Sequence, residues 1–211
     1  AEYNPFHSGH GYHIEKTKKE TGADYVLVIM SGHFVQRGAP ALLDKYTRTR
    51  AALLGGADAV IELPALYATS SAEYFAQGAV TLLHKLGVVD FLSFGSEEGA
   101  ISPFIEAAAA LLSCGDNIQD TIRELLKEGL SYPAAKEKAA AKHLPVIKNR
   151  PKLLTAPNNI LGLEYCKALL ALDSKITPFT IKRKGQDFKD SGIPSAPETF
   201  ASAAAIRAAA V

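Results

Sequence analysis

The order of strand-like and helix-like segments predicts an α/β protein, a parallel sheet flanked by helices and interrupted by a helical insertion. Three observations carry this. A continuous apolar run at residues 25–30 has the pattern of a parallel strand buried on both faces, residues 59–63 read as a second buried strand, and residues 88–94 read as a third strand. Helix-like segments alternate with them at residues 10–20, 42–54 and 71–86. Residues 103–114, 118–128 and 132–141 then read as helices with no strand between them.

Each element has a local cause. The segment at residues 10–20 carries lysines on one side and stops at Thr21-Gly22. The run at 25–30 is followed by a loop bearing Gly32, Gln36, Arg37 and Gly38. The helix at 42–54 ends at Gly55-Gly56, and Pro64 closes the second strand. Ser70 or Ser71 is the expected cap of the helix at 71–86. The third strand ends at Gly95-Ser96-Glu97. A helix is expected at 158–172, an alternating strand at 176–182, a polar proline-bearing loop at 186–199 and a last helix at 200–211. The loops at 4–9, 31–38, 63–70 and 95–99 follow strands, so they are expected to converge on one crevice at the carboxyl ends. Such a fold needs a buried strand before its first turn, so part of that strand is expected to precede Ala1. The alanine-rich end is likewise expected to be cut short.

Composition excludes several classes. No run of about 18 apolar residues exists, so no membrane span is indicated, and no signal peptide is visible. Cys114 and Cys166 stand far apart, which fits a reducing compartment and no disulfide framework. Net charge is +1, so any nucleic-acid contact must come from a local patch.

The chemistry concentrates at the two ends. Ala1-Glu2-Tyr3-Asn4-Pro5-Phe6-His7-Ser8-Gly9-His10 holds a His-x-Gly-His element between an Asn-Pro turn and a helix. Two imidazoles three residues apart can aim donors at one anionic group. Gly9 lets a flat ligand approach the backbone, and the free N–H groups of the following helix suit phosphate. The pattern favours ATP chemistry at the α-phosphate. Surface histidines and half of a metal site are the alternatives, but no glutamate follows His7 as in the zinc-protease helix. At the far end, Ser202-Ala203-Ala204-Ala205-Ile206-Arg207 places a capping serine and an arginine on one short helix. It is either a phosphate grip or a capped helix with a surface arginine.

Taken in order, the opening decapeptide, Met30-Ser31-Gly32-His33-Phe34-Val35-Gln36-Arg37-Gly38, Ile61-Glu62-Leu63-Pro64, Phe94-Gly95-Ser96-Glu97, Pro157-Asn158-Asn159-Ile160-Leu161-Gly162 and Ile181-Lys182-Arg183 resemble the bacterial tRNA(Met) cytidine acetate ligase family. The match runs over nearly the whole chain. It implies a Rossmann-like fold of the HIGH-superfamily nucleotidyltransferase type. It also implies activation of acetate by ATP to acetyl-adenylate and transfer to the wobble cytidine of elongator tRNA(Met) in the cytoplasm. Residues 1–211 then form one ATP-binding domain with a mostly helical segment at about 102–150, without the family's C-terminal tRNA-holding part. Ala204 stands where the family usually has a hydroxyl.

The resemblance assigns roles residue by residue. His7 and His10 become catalytic, and residues 1–10, Gly95, Asn158, Asn159, Arg183, Ser202 and Arg207 become the ATP site. From the residues themselves each keeps a second reading. Gly95 is otherwise a strand-to-loop turn, Asn158 or Asn159 a helix cap, and Arg183 a solvated strand end. Gln36 and Arg37 either cover phosphate or the carboxylate substrate, or form surface loop. Lys136, Lys138, Lys142, Lys148, Arg150 and Lys152, against a single Glu137, are a tRNA backbone contact or a solvated face. Glu62 is expected to hydrogen-bond loop backbone. Mg2+ is expected with ATP, but no ligand set stands out and no protein metal site is assigned.

Overall fold

The computed structural model describes residues 1–183 and 200–210. The expected loop at 186–199 and Val211 lie outside the described residues. The chain divides into two compact units, one of Ala1–Ala79 with Arg183–Val211 and one of Val80–Lys182.

In the first unit α1 (Ser8–Thr21) precedes β1 (Leu27–Ser31), α2 (Lys45–Leu54), β2 (Ala59–Leu63), α3 (Ala65–Ala68) and the first half of α4 (Ala72–Leu86). The helix α1 ends where Gly22 takes the left-handed conformation, φ 71°, and donates to the Lys18 carbonyl. Asp44 starts α2 by accepting the N–H groups of Tyr46 and Thr47 at 2.8 and 3.0 Å. The cap lies beyond Leu42, which is why the helix begins later than expected. Strands β1 and β2 are parallel, with Leu27 opposite Ala59 and Ser31 opposite Leu63. Only β1 is mostly buried; Ala59 and Glu62 of β2 are exposed, against the expected double burial. Ala1 runs alongside β1, bonded to Ile29 O and to Ser31 N–H at 2.5 and 3.0 Å. Tyr3, Ile14, Val28, Met30, Ala52 and Ala57 form the core here.

The second unit holds β3 (Phe91–Ser96), α5 (Ser102–Ser113), α6 (Gly115–Lys127), α7 (Tyr132–His143), α8 (Pro145–Asn149), α9 (Lys152–Thr155), α10 (Pro157–Ala171) and β4 (Thr177–Lys182). Strands β3 and β4 pair in parallel, Phe91 opposite Thr177 and Ser96 opposite Lys182. The strand-like run at 88–94 pairs only from Asp90 onward, and Val88 is exposed. The short helices α3, α8 and α9 fall in stretches that offered no periodicity; prolines stand at their starts. Phe94, Phe104, Ile118, Ile122, Leu153 and Leu163 belong to one buried cluster. Lastly α11 (Ala203–Ala209) belongs to the first unit and is shorter than the expected helix.

Gly162 marks the tightest packing of the second unit. A Cβ there would run into the rings of Phe94 and Phe104. Alanine ordinarily favours a helix interior over glycine by about 1 kcal/mol, but overpacking a core costs roughly 1–3 kcal/mol. Gly162→Ala is therefore expected to lower the denaturant midpoint, with the slope unchanged, in a chemical unfolding titration.

Candidate active site

The opening turn is built from the inside outward. Tyr3, Asn4 and Pro5 are buried, and Tyr3 adopts φ 47°. The Asn4-Pro5 peptide is cis. The Tyr3 ring meets Phe6 at 4.9 Å and His10 at 4.7 Å between centroids, and burial pushes its hydroxyl up to about 12. Phe6 lies over Gly55, where no Cβ would fit. The Asn4 side-chain oxygen accepts Leu42 N–H at 2.7 Å, and Glu2 Oε1 accepts Gln36 N–H at 3.0 Å. Thus the side chains of Glu2, Tyr3 and Asn4 tie the turn to its own unit. Ser8 is exposed at the first position of α1.

The two histidines stack on each other, ring centroids 3.7 Å apart and planes 24° from parallel. Gly9 permits this. A Cβ there would lie 3.0 Å from His7 Cε1 and 3.1 Å from Nδ1, so the space above the glycine belongs to the His7 imidazole. His7 N–H donates to His10 Nδ1 at 3.2 Å. That acceptor role leaves the proton of neutral His10 on Nε2, available for donation. His7 Nδ1 is buried with no hydrogen-bond partner among the described residues. Burial is the main reason both rings resist protonation, and the Arg183 guanidinium adds to it; His7 falls to about 4 and His10 to about 2. For His10 the charge of His7 is the second cause.

The far end of the chain meets this turn. Arg207 donates from Nη1 to the Asn4 carbonyl at 2.5 Å, across 203 residues. Ser202 caps α11 by accepting Ala205 N–H at 3.0 Å, as its position suggested. So His7, His10, Arg183, Ser202 and Arg207 share one unit. Gln36 and Arg37 lie in the same unit on a loop closed by a bridge between Phe34 and Pro40. Ser31, at the end of β1, is fully buried with an unpartnered hydroxyl among the described residues. Glu62 departs from expectation: it is exposed and pairs with Lys45 Nζ at 2.6 Å instead of loop backbone, because Lys45 opens α2 beside it.

Gly95, Asn158 and Asn159 belong to the other unit. Asn159 is fully buried. Its Oδ1 accepts the N–H groups of Glu97 and Glu98 at 2.9 and 3.3 Å, and its Nδ2 donates to Lys152 O at 3.1 Å. Glu97 answers with its carboxylate, accepting Asn159 N–H at 3.1 Å and Asn158 Nδ2 at 2.7 Å. Asn159 is thus spent on holding the β3 end to the start of α10, whereas Asn158 is half-buried. Gly95 sits opposite Ile181 in the ladder. The sequence marks Glu97 only as the end of the third strand and of the Phe94-Gly95-Ser96-Glu97 motif, with nothing to tie it to the Asn-Asn helix start. Lys136, Lys138, Lys142, Lys148, Arg150 and Lys152 are all exposed, and Arg150 pairs with Glu98.

Two outcomes follow. Because the folded imidazoles titrate below the ordinary 6.5, the unfolded chain takes up protons first. Stability should therefore hold above about pH 6.5 and fall as pH drops through about 4; melts across that window and histidine NMR titration measure both. Asn159→Ala should cost about 1–3 kcal/mol in an unfolding titration, since it strips the acceptor from two N–H groups.

Among known proteins, the family described as HIGH nucleotidyl transferase matches residues 1–211. A tRNA(Met) cytidine acetate ligase of Acetivibrio thermocellus is 47% identical over 98% of this chain and 49% of its own length. That of Clostridium novyi is 46% identical over 98% of this chain and 51% of its own. The crystal structure of apo Thermotoga maritima TmcAL superposes with TM-score 0.89 at 40% identity, covering 98% of this chain and 49% of that one. Its form bound with alpha-thio ATP gives 0.84 at 40% identity, over 98% and 48%. The chain spans about half the length of these relatives. They bear the family name that the ordered motifs suggested, and the chain belongs to the HIGH nucleotidyl transferase family.

Proposed function

We propose that this chain is the ATP-binding part of a ligase that activates acetate and acetylates tRNA. A carboxylate oxygen of acetate attacks the α-phosphorus of ATP, pyrophosphate leaves, and acetyl-adenylate forms. The N4 amine of the wobble cytidine of elongator tRNA(Met) then takes the acetyl group, releasing AMP and leaving N4-acetylcytidine. The supporting observation is the neutral, stacked His7–His10 pair on a turn pinned by Arg207, in a chain resembling ligases of that name over almost all its residues.

Charge accumulates on phosphate oxygens and pyrophosphate in the first step, so position and positive potential do most of the work. His10 offers its Nε2–H as a donor without losing a proton of its own. A preorganised donor of this kind is worth about 3 kcal/mol in the transition state. Arg183 supplies a permanent cation beside both rings. Arg207 and Ser202 hold the turn and the α11 start. Gln36 and Arg37 are assigned to the carboxylate or the phosphates, and Asn158 and Gly95 to the nucleotide. Asn159 serves through Glu97 and Glu98. The exposed lysines at 136–152 and Arg150 are assigned to tRNA phosphates. Among the described residues no group of three or more His, Cys, Asp or Glu could hold a metal. Magnesium is assigned to the ATP phosphates on the chemistry of ATP. No helix among the described residues is long and apolar enough to cross a membrane. The cytoplasm is assigned as the place of reaction because the proposed substrate is tRNA.

Incubation with ATP and acetate, followed by mass spectrometry, tests the first step. Acetyl-AMP is the expected product, reduced at least about a hundredfold by His10→Ala. Condensation of ATP with a mononucleotide would instead point to an adenylyltransferase making a dinucleotide. Unchanged turnover in His10→Ala would place the chemistry elsewhere.

A further inference from the structure

We propose that Arg48 is a positioning residue for the opening turn, setting peptide planes on which ATP binding depends without touching ATP; this rests on the ATP-site reading above. Arg48 lies on α2 and is 0% exposed. Its fork reaches three separate stretches of backbone. Nε donates to Leu43 O at 3.0 Å, Nη1 to Glu2 O at 2.5 Å, and Nη2 to Gly32 O. The Glu2 contact spans 46 residues and the Gly32 contact 16.

Such contacts dictate orientation. In a trans peptide the carbonyl and the next N–H point in opposite directions. The peptides after Glu2 and Gly32 are trans. Fixing both carbonyls on Arg48 turns the N–H groups of Tyr3 and His33 away from it. Helix α2 also grips Gly32 from a second side. Lys45, one turn before Arg48, holds Glu62, whose carboxylate occupies the space that a Cβ on Gly32 would need. Meanwhile Arg207 anchors the Asn4 carbonyl two residues beyond Glu2. The first histidine follows three residues later. Its position is thus fixed by a buried arginine below and a second arginine from α11.

A space filler would not need this chemistry. An apolar side chain of equal volume fills such a hole at less desolvation cost, but it holds no carbonyl. A lysine keeps the charge yet concentrates its donors at one point, whereas the guanidinium spreads five over a planar fork. Arg48→Lys in the 211-residue chain is therefore the informative change. Three readouts apply: thermal unfolding, the calorimetric Kd for α,β-methylene-ATP, and amide hydrogen exchange. We expect unfolding to stay cooperative and the analogue to bind about tenfold or more weakly. Exchange should accelerate at residues 1–10 and 31–38 and stay unchanged in α10. An unaltered Kd with unaltered exchange overturns the proposal, as does uniform acceleration throughout the first unit, which marks plain destabilisation. If the parent chain fails to bind the analogue, the ATP-site reading falls, and the exchange pattern alone decides Arg48's hold on the turn. Should Arg48→Lys not fold, the unaltered chain serves: a slowly exchanging Arg48 Nε–H resonance that shifts with analogue supports the role, and one that does not shift refutes it.

Discussion

A guanidinium buried beneath the opening turn is the constraint on which the first unit depends. Taking a cation out of water is expensive, and burial alone lowers the pKa of Arg48; nearby Glu2, Asp44 and Glu62 act against that. Yet its hydrogen bonds go to backbone carbonyls of Leu43, Glu2 and Gly32. Carbonyl dipoles from three directions replace water. Removing any one of these stretches would leave the charge under-solvated, which couples the stretches to one another. The turn, the β1 end and the start of α2 thereby become one cooperative object.

On that base the site uses neutrality as much as charge. The two imidazoles touch face to face, which would be costly if both were protonated. Burial and Arg183 keep them neutral, and the bond from His7 N–H to His10 Nδ1 selects the tautomer. In the proposed reaction a neutral pair beside fixed arginines separates two tasks: the arginines supply potential, and the imidazoles supply directed hydrogen bonds. The second unit repeats the logic with neutral and anionic groups. Asn159 and Glu97 satisfy each other's backbone and side-chain groups, so the end of β3 and the start of α10 form one satisfied polar network. An asparagine there is needed because it must accept two N–H groups and donate one of its own.

Much of the element order was legible. Strands and helices were placed within a few residues because apolar runs, glycine stops and proline starts act locally. The short helices α3, α8 and α9 were invisible, since one turn leaves no periodicity. Ser202 was read as a cap and is one. Gly9 was read as clearance for a ligand, but the nearest neighbour to that space is the His7 ring. Glu62 was expected on loop backbone and is held by Lys45 instead. The role of Arg48 is not legible in the sequence, because nothing in Tyr46-Thr47-Arg48-Thr49-Arg50 distinguishes it from its exposed neighbour Arg50.

By itself, the sequence determined the class of fold and the family and nominated the side chains proposed to bear the chemistry, since those depend on residue type and on spacing along the chain. The tertiary structure alone decided which polar atoms find each other. It brought Arg207 to Asn4 across 203 residues, buried one arginine of a Thr-Arg repeat and not the other, and turned Asn159 inward. Hydrogen bonds are short-ranged and directional, so partners far apart in the chain become readable only once packing has set their distance and angle.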